Sequence, residues 1–159
     1  MARSGLEITV QVECPAWRKA WPRLAADARG VVRAAVERPE LSSAAGEVAI
    51  VFADDQRLRG LNAQFRAKDR PTNVLSFPDP VQPLGGIALA FETVSGEAKG
   101  QKKAFVNHSK HLILHGLLHL LGYDHETPRD ARLMEGLEIA ILTDMGIPNP
   151  YILKANARA

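Results

Sequence analysis

Cysteine is almost missing from this chain. Cys14 stands alone, so no internal disulfide can form, and a reducing compartment is the simpler setting. Long apolar runs are missing too. The N-terminal segment Met1 to Val10 is interrupted by Glu7 and Thr9 and has no signal core, and the longest apolar stretch, Leu112 to Leu121, is broken too often to span a bilayer. These absences predict a cytoplasmic, unexported protein with no membrane partner. Aromatic residues are only 6% of the chain, and Trp17 and Trp21 are expected in the core or at its rim, since nothing near them suggests a ligand cage. A large charge of one sign is also lacking, and a net charge of +2 is too mild to declare a nucleic-acid partner by itself. The 159 residues, 46% of them hydrophobic, suffice for one compact domain and leave no room for a second, so residues 1–159 are expected to form a single unit.

Periodicity supplies the elements. Leu6 to Val12 alternates apolar and polar residues as a half-buried strand does, and Pro15 to Arg38 repeats apolar positions at helical spacing, with Pro22 and Gly30 as points where that helix can kink or split. Gly46–Ala53 is rich in strand formers, and Asp54-Asp55 caps a helix reaching about Phe65. Thr72–Phe77 reads as an extended segment ended by Pro78, and Leu84–Phe91 as a buried strand. Ser95–Lys103 is expected to be a loop or helix start. Thr127-Pro128-Arg129-Asp130 combines an N-cap, a proline at the first helical position and an acid at the third, so a last helix is expected from there to Gly146. Early strands and late paired helices predict an α+β domain, a small mixed sheet covered by helices.

All five histidines fall between residues 108 and 125, and three are spaced as His115-Gly-Leu-Leu-His119-Leu-Leu-Gly122-Tyr-Asp-His125. Residues four apart on a helix lie one above the other, so His115 and His119 can close on one ion. Gly122 can take the left-handed conformation that ends the helix and returns the chain, which would bring His125 in as third ligand. Three imidazoles leave a fourth tetrahedral position open, the mark of a catalytic rather than structural zinc. The expected site therefore sits on a helix of the C-terminal half and the turn after it, with one Zn2+ per chain, although these ligands also suit other divalent ions. His108 and His111 are expected not to be ligands. Asp124 either orients an imidazole or caps the turn after Gly122, with nothing to choose between them.

The spacing matches the long zinc-protease signature, in which a glutamate follows the first histidine as general base. Gly116 holds that position here, and glycine can move no proton, so peptide hydrolysis is disfavoured. Charge distribution points elsewhere. Arg57, Arg59, Arg66, Lys68 and Arg70 form a dense basic run leading into Pro71-Thr72-Asn73, a candidate phosphate-contacting segment, whereas Lys99, Lys102, Lys103 and Lys110 are expected to be solvated. Read alone, Arg66 is equally a phosphate ligand or a helix-end arginine bonded to carbonyls or to Asp69.

Two blocks, Leu61-Asn62-Ala-Gln-Phe-Arg66-Ala-Lys-Asp69-Arg-Pro71-Thr72-Asn73-Val74-Leu75-Ser76-Phe77-Pro78 and His115 to His125, closely resemble the YbeY endoribonucleases, bacterial ribosomal RNA maturation factors. With the helices that flank them they span most of the chain after residue 46; the first 45 residues match only in strand-helix outline. The resemblance implies a zinc-dependent, single-strand-specific endoribonuclease of small-subunit rRNA 3′ end maturation and ribosome quality control, with ribosomal RNA, the small subunit and ribosomal or assembly proteins as partners. It carries the metal ligands onto His115, His119 and His125 and the functional arginine onto Arg66. One position departs from the family: the usual Leu-Gly-Asp-Ile is here Leu84-Gly85-Gly86-Ile87, without the acid.

The chemistry agrees. Cleaving a phosphodiester requires charge stabilisation on a pentacoordinate phosphate, which a metal and a guanidinium supply without a glutamate beside the first ligand. No residue stands out as general base, and a water or a ribose 2′-hydroxyl as nucleophile would leave a phosphate monoester or a cyclic phosphate respectively. A zinc peptidase or amidase with an unconventional base, and a non-catalytic ribosome-assembly factor with a structural zinc, are the rival expectations. The missing acid at Gly86 favours the latter.

Overall fold

The computed structural model describes residues 5–66, 72–81 and 83–151. Strand β1 (Gly5–Val12) alternates exposed and half-buried positions along its length, as an edge strand with one covered face does. Two helices follow, α1 (Ala16–Ala20) and α2 (Leu24–Val36). The break between them falls at Pro22, whose ring cannot continue a helix, while Gly30 stays inside α2 without interrupting it. Both tryptophans are core residues. Trp17 donates to the carbonyl of Ala53 at 2.8 Å and Trp21 to Asp27 at 2.9 Å, so neither indole N–H is buried unpaired.

After a 3-10 turn at Pro39–Leu41 come β2 (Ala45–Ala53), α3 (Asp55–Arg66), β3 (Val74–Pro78), β4 (Leu84–Ala90), α4 (Phe91–Gly100), α5 (Phe105–Leu120) and α6 (Pro128–Asp144). Asp54 caps α3 by accepting from the Arg57 N–H at 2.8 Å, and Thr127 caps α6 by accepting from the Asp130 N–H at 3.1 Å. Of the stretch Ser95–Lys103, expected as a loop or helix start, residues 95–100 are the second half of α4, which begins directly at the end of β4, and residues 101–103 form the turn after it. Glu92 and Thr93 in its first turn bond to Asp55 of α3, a tertiary stabilisation that periodicity does not register.

The sheet runs β1-β2-β4-β3, with β1, β2 and β4 parallel and β3 antiparallel to β4, so it is mixed, and the domain is α+β. Side chains alternate faces along each strand. Val48, Ile50, Phe52, Ile87 and Leu89 join α2, α5 and α6 in the main core, while Ala53, Leu75, Ala88 and Ala90 pack with Leu58 and Leu61 of α3. Helix α3 therefore covers the opposite face from α5. Among the described residues no helix is long and apolar enough to cross a membrane.

Helix α5 lies tight on the sheet at Gly116. A Cβ there would come within 2.8 Å of the Ile87 side chain and 3.0 Å of Ser76 Oγ, whose hydroxyl donates to the Gly116 carbonyl at 2.8 Å. The position that carries glutamate in the protease signature has no space for any side chain. Gly86, where the family's acid is absent, lies opposite Phe77 in the β3–β4 register, and a Cβ on it would meet the Phe77 ring at 2.4 Å. The aromatic ring occupies the space a side chain at position 86 would need.

Candidate metal centre

Helix α5 ends in a closed loop of hydrogen bonds. The Tyr123 N–H reaches the Leu118 carbonyl at 2.9 Å and the Gly122 N–H the His119 carbonyl at 3.1 Å, with Gly122 left-handed at φ 100°. This turn reverses the chain within three residues and delivers His125 to the two helical histidines. The ligand nitrogens of His115, His119 and His125 all lie within 4.8 Å of one another. The His125 ring stacks on His115 at a centroid distance of 5.5 Å.

Hydrogen bonding assigns the ring tautomers. His115 Nδ1 lies 2.7 Å from a carboxylate oxygen of Glu138, and His119 Nδ1 lies 3.0 Å from the Tyr123 carbonyl. Both partners are acceptors, so both Nδ1 atoms carry hydrogen and both Nε2 atoms present lone pairs. Those two Nε2 atoms are 3.1 Å apart. Tetrahedral ligands at about 2.0–2.1 Å from one ion stand about 3.3 Å from each other, so the pair is set for a shared cation, and lone pairs at that separation repel without one.

Glu138 is the candidate site residue that sequence reasoning missed. It is fully buried on α6 and accepts from His115 through one oxygen and from His111, at 2.8 Å, and the Tyr151 hydroxyl through the other. Burial alone would push this carboxyl up. The hydrogen bonds from His111 and His115, the charge of His111 and the Tyr151 hydroxyl outweigh burial and hold it at about 2. Burial and the bond to this carboxylate push the Tyr151 hydroxyl far up. A signal for Glu138 was present: it is one acid within the apolar stripe Met134, Leu137, Ile141 and Leu142. His111, His115 and Glu138 also bring ligand atoms within 4.8 Å and can hold a cation. Their facing atoms, however, are already joined in that hydrogen-bond network, which gives the three-histidine group the stronger claim.

Asp124 does not orient an imidazole. Its carboxylate accepts from the Glu126 N–H at 3.2 Å within the turn, and the orienting acceptors are Glu138 and the Tyr123 carbonyl. His108 bonds Glu97 at 2.9 Å and takes no part in the metal group, and burial holds its pKa below the usual value despite that carboxylate. Arg57 and Arg59 are not brought to the metal group either. They lie on α3, across the sheet from α5, and Arg57 pairs with Glu13 at 3.4 Å. The Arg66 side chain, Lys68 and Arg70 lie outside the described residues. Where the chain resumes, Asn73 and Val74 line the same cleft as His115.

Residues 11–146 match the family model described as endoribonuclease YbeY. Proteins named endoribonuclease YbeY are similar to this chain over most of its length. The one from Paramagnetospirillum magneticum is 43% identical, covering 92% of this chain and 96% of its own. Those from Rhodopseudomonas palustris and a Chelativorans species are 43% and 47% identical, covering 94% and 82% of this chain and 82% and 86% of their own. The solution structure of TM1509 from Thermotoga maritima shares the fold, with a TM-score of 0.59 and 23% identity over 87% of this chain and 91% of that one. With a metal group built from the histidines of the family motif, a helix-to-sheet contact that leaves no space for a protease base, and family similarity across the sheet and both helices of the site, the chain belongs to the endoribonuclease YbeY family.

Proposed function

We propose that this chain is a zinc-dependent, single-strand-specific endoribonuclease acting in the cytoplasm on the 3′ end of small-subunit rRNA and in ribosome quality control, with the small ribosomal subunit and its assembly proteins as partners. The observation that carries the reading is the convergence of the His115 and His119 Nε2 lone pairs at 3.1 Å, with each Nδ1 tied to an acceptor and His125 beside them. Neutral imidazoles from all three suit zinc, and His115, His119 and His125 would hold one ion per chain. When bound, zinc supplies Lewis-acid stabilisation of a phosphoryl oxygen and lowers the pKa of water.

The chain's own groups do the rest. Glu138 and the Tyr123 carbonyl hold the imidazoles in the tautomer that leaves Nε2 to the metal. Arg66 is the proposed guanidinium for the phosphate, since its planar fork stays charged and binds two oxygens. Asn73 and Val74, seven and eight residues beyond the end of α3 at Arg66, line the cleft that His115 also lines, which supports that role. Lys68 and Arg70 in the intervening segment are proposed RNA contacts. The buried backbone at Gly116 speaks against a peptidase. A non-catalytic assembly role would retain RNA binding without turnover.

The test is cleavage of a 5′-labelled single-stranded rRNA 3′-end fragment by zinc-loaded protein, with Arg66→Ala and His119→Ala purified in parallel. Cleavage that both variants lose establishes the ribonuclease. Equal cleavage by all three, or binding without cleavage, puts the assembly-factor reading first.

A further inference from the structure

A groove runs along α5 from the metal group to the turn between α4 and α5. Its two halves are neighbouring cavities of about 220 and 160 Å³ that share Lys103, His108, His111 and Pro150 in their linings. His115 stands at one end, and Lys102 and Lys103 line the other. The rise of α5 between Ala104 and His115 makes this path about 16 Å long. One wall comes from the segment after α6, where Ile147, Pro148 and Pro150 are apolar and Asn149 accepts from the Tyr151 N–H at 2.8 Å. Glu97 is the acid in the lining, and its carboxylate is engaged by Asn73 at 3.0 Å and His108 at 2.9 Å.

The turn at the basic end is built in an unusual way. Helices α4, α5 and α6 all end with the same hydrogen bond, from Lys103 N–H to Ala98, Tyr123 N–H to Leu118 and Ile147 N–H to Leu142, at 2.9, 2.9 and 2.8 Å. In α5 and α6 the left-handed residue of that turn is glycine, Gly122 and Gly146. In α4 it is Lys102, at φ 55°, a conformation unfavourable for a residue with a side chain. A lysine in a conformation that glycine fits better is a backbone outlier that points to use of its side chain. Arg57 and Arg59, by contrast, lie across the sheet from this groove.

We propose that this groove carries the single-stranded RNA on one side of the cleaved bond, with backbone phosphates held by Lys102 and Lys103 and a base laid against Ile147, Pro148 and Pro150. The proposal rests on the ribonuclease reading above. Ammonium groups on a flexible stem suit phosphates without selecting sequence, and an apolar wall accepts the face of any base.

The experiment compares zinc-loaded wild type, a Lys102→Gly/Lys103→Gln double variant and an Arg57→Gln/Arg59→Gln double variant. It measures fluorescence anisotropy of a labelled single-stranded RNA across a salt series, cleavage of the same RNA, and the melting temperature. Binding by the lysine variant is expected to weaken about tenfold and its log–log salt slope to fall by about 1.4, about 0.7 per phosphate contact. Its melting temperature is expected not to fall, because glycine relieves position 102. The arginine variant is expected to bind as wild type does. An unchanged affinity and slope in the lysine variant, with wild type binding and cleaving, overturns the groove alone. A wild type that neither binds nor cleaves overturns the ribonuclease reading and the groove with it.

Discussion

Glu138 Oε2 and His115 Nδ1 are 2.7 Å apart, and the carboxylate has no exposure to solvent. That bond couples α6 to a candidate metal-binding histidine on α5. Glu138→Gln replaces an anionic acceptor by a neutral amide and is expected to lower zinc affinity by about 10- to 100-fold. Competition against a chromophoric chelator measures this directly. Wild-type affinity in the variant would show that the carboxylate does not govern the ligand.

Gly122 offers a second handle on the same site. At φ 100° an alanine is strained, and nothing lies within 4 Å of the added methyl, so the effect is conformational alone. Gly122→Ala is expected to cost about 1 kcal/mol of stability. It should also weaken zinc binding, because the turn positions His125. Urea unfolding with and without zinc separates the two effects: the loss should be larger in the zinc-loaded protein.

Gly116 should tolerate no enlargement. Gly116→Ala places a methyl 2.8 Å from Ile87 and is expected to destabilise by about 1–3 kcal/mol through overpacking of α5 on the sheet. Gly116→Glu, which restores the protease signature, is expected to unfold the domain rather than create a peptidase. Circular dichroism melts and a peptide-library assay on the two variants check both outcomes; a folded, peptide-cleaving glutamate variant would contradict this packing.

His108 sets a pH dependence. Burial holds its folded pKa below 6.5, so below that pH the unfolded chain binds more protons than the folded one. The stability it contributes is therefore fully present above about pH 6.5 and declines as pH falls towards the folded value. His108→Gln should flatten the urea midpoint across that window relative to wild type. An identical slope in the two proteins would assign the titration to other groups.

Much of this was legible because local chemistry settles it. The Thr127-Pro128 start of α6, the Asp54 cap, the break at Pro22 and the turn at Gly122 each follow from what one or two residues allow the backbone to do. Helix α4 was not legible in full, because its first turn is stabilised by Asp55 from another helix. The choice between the two readings of Asp124 was not legible either: its bond to the Glu126 N–H lies within the turn, while the acid bonded to His115 lies 23 residues beyond that histidine, on another helix.

The sequence by itself determined the candidate metal group, since a four-residue helical spacing and a left-handed glycine leave His115, His119 and His125 little choice but to converge. Tertiary structure alone decided what surrounds them. Packing of α6 against α5 buries Glu138 behind the metal group, contact with Ile87 and Ser76 closes the space at Gly116, and sheet topology sends Arg57 and Arg59 to one face and the Lys102–Lys103 groove to the other. Which charges share a surface depends on how elements pack, and no local periodicity encodes that.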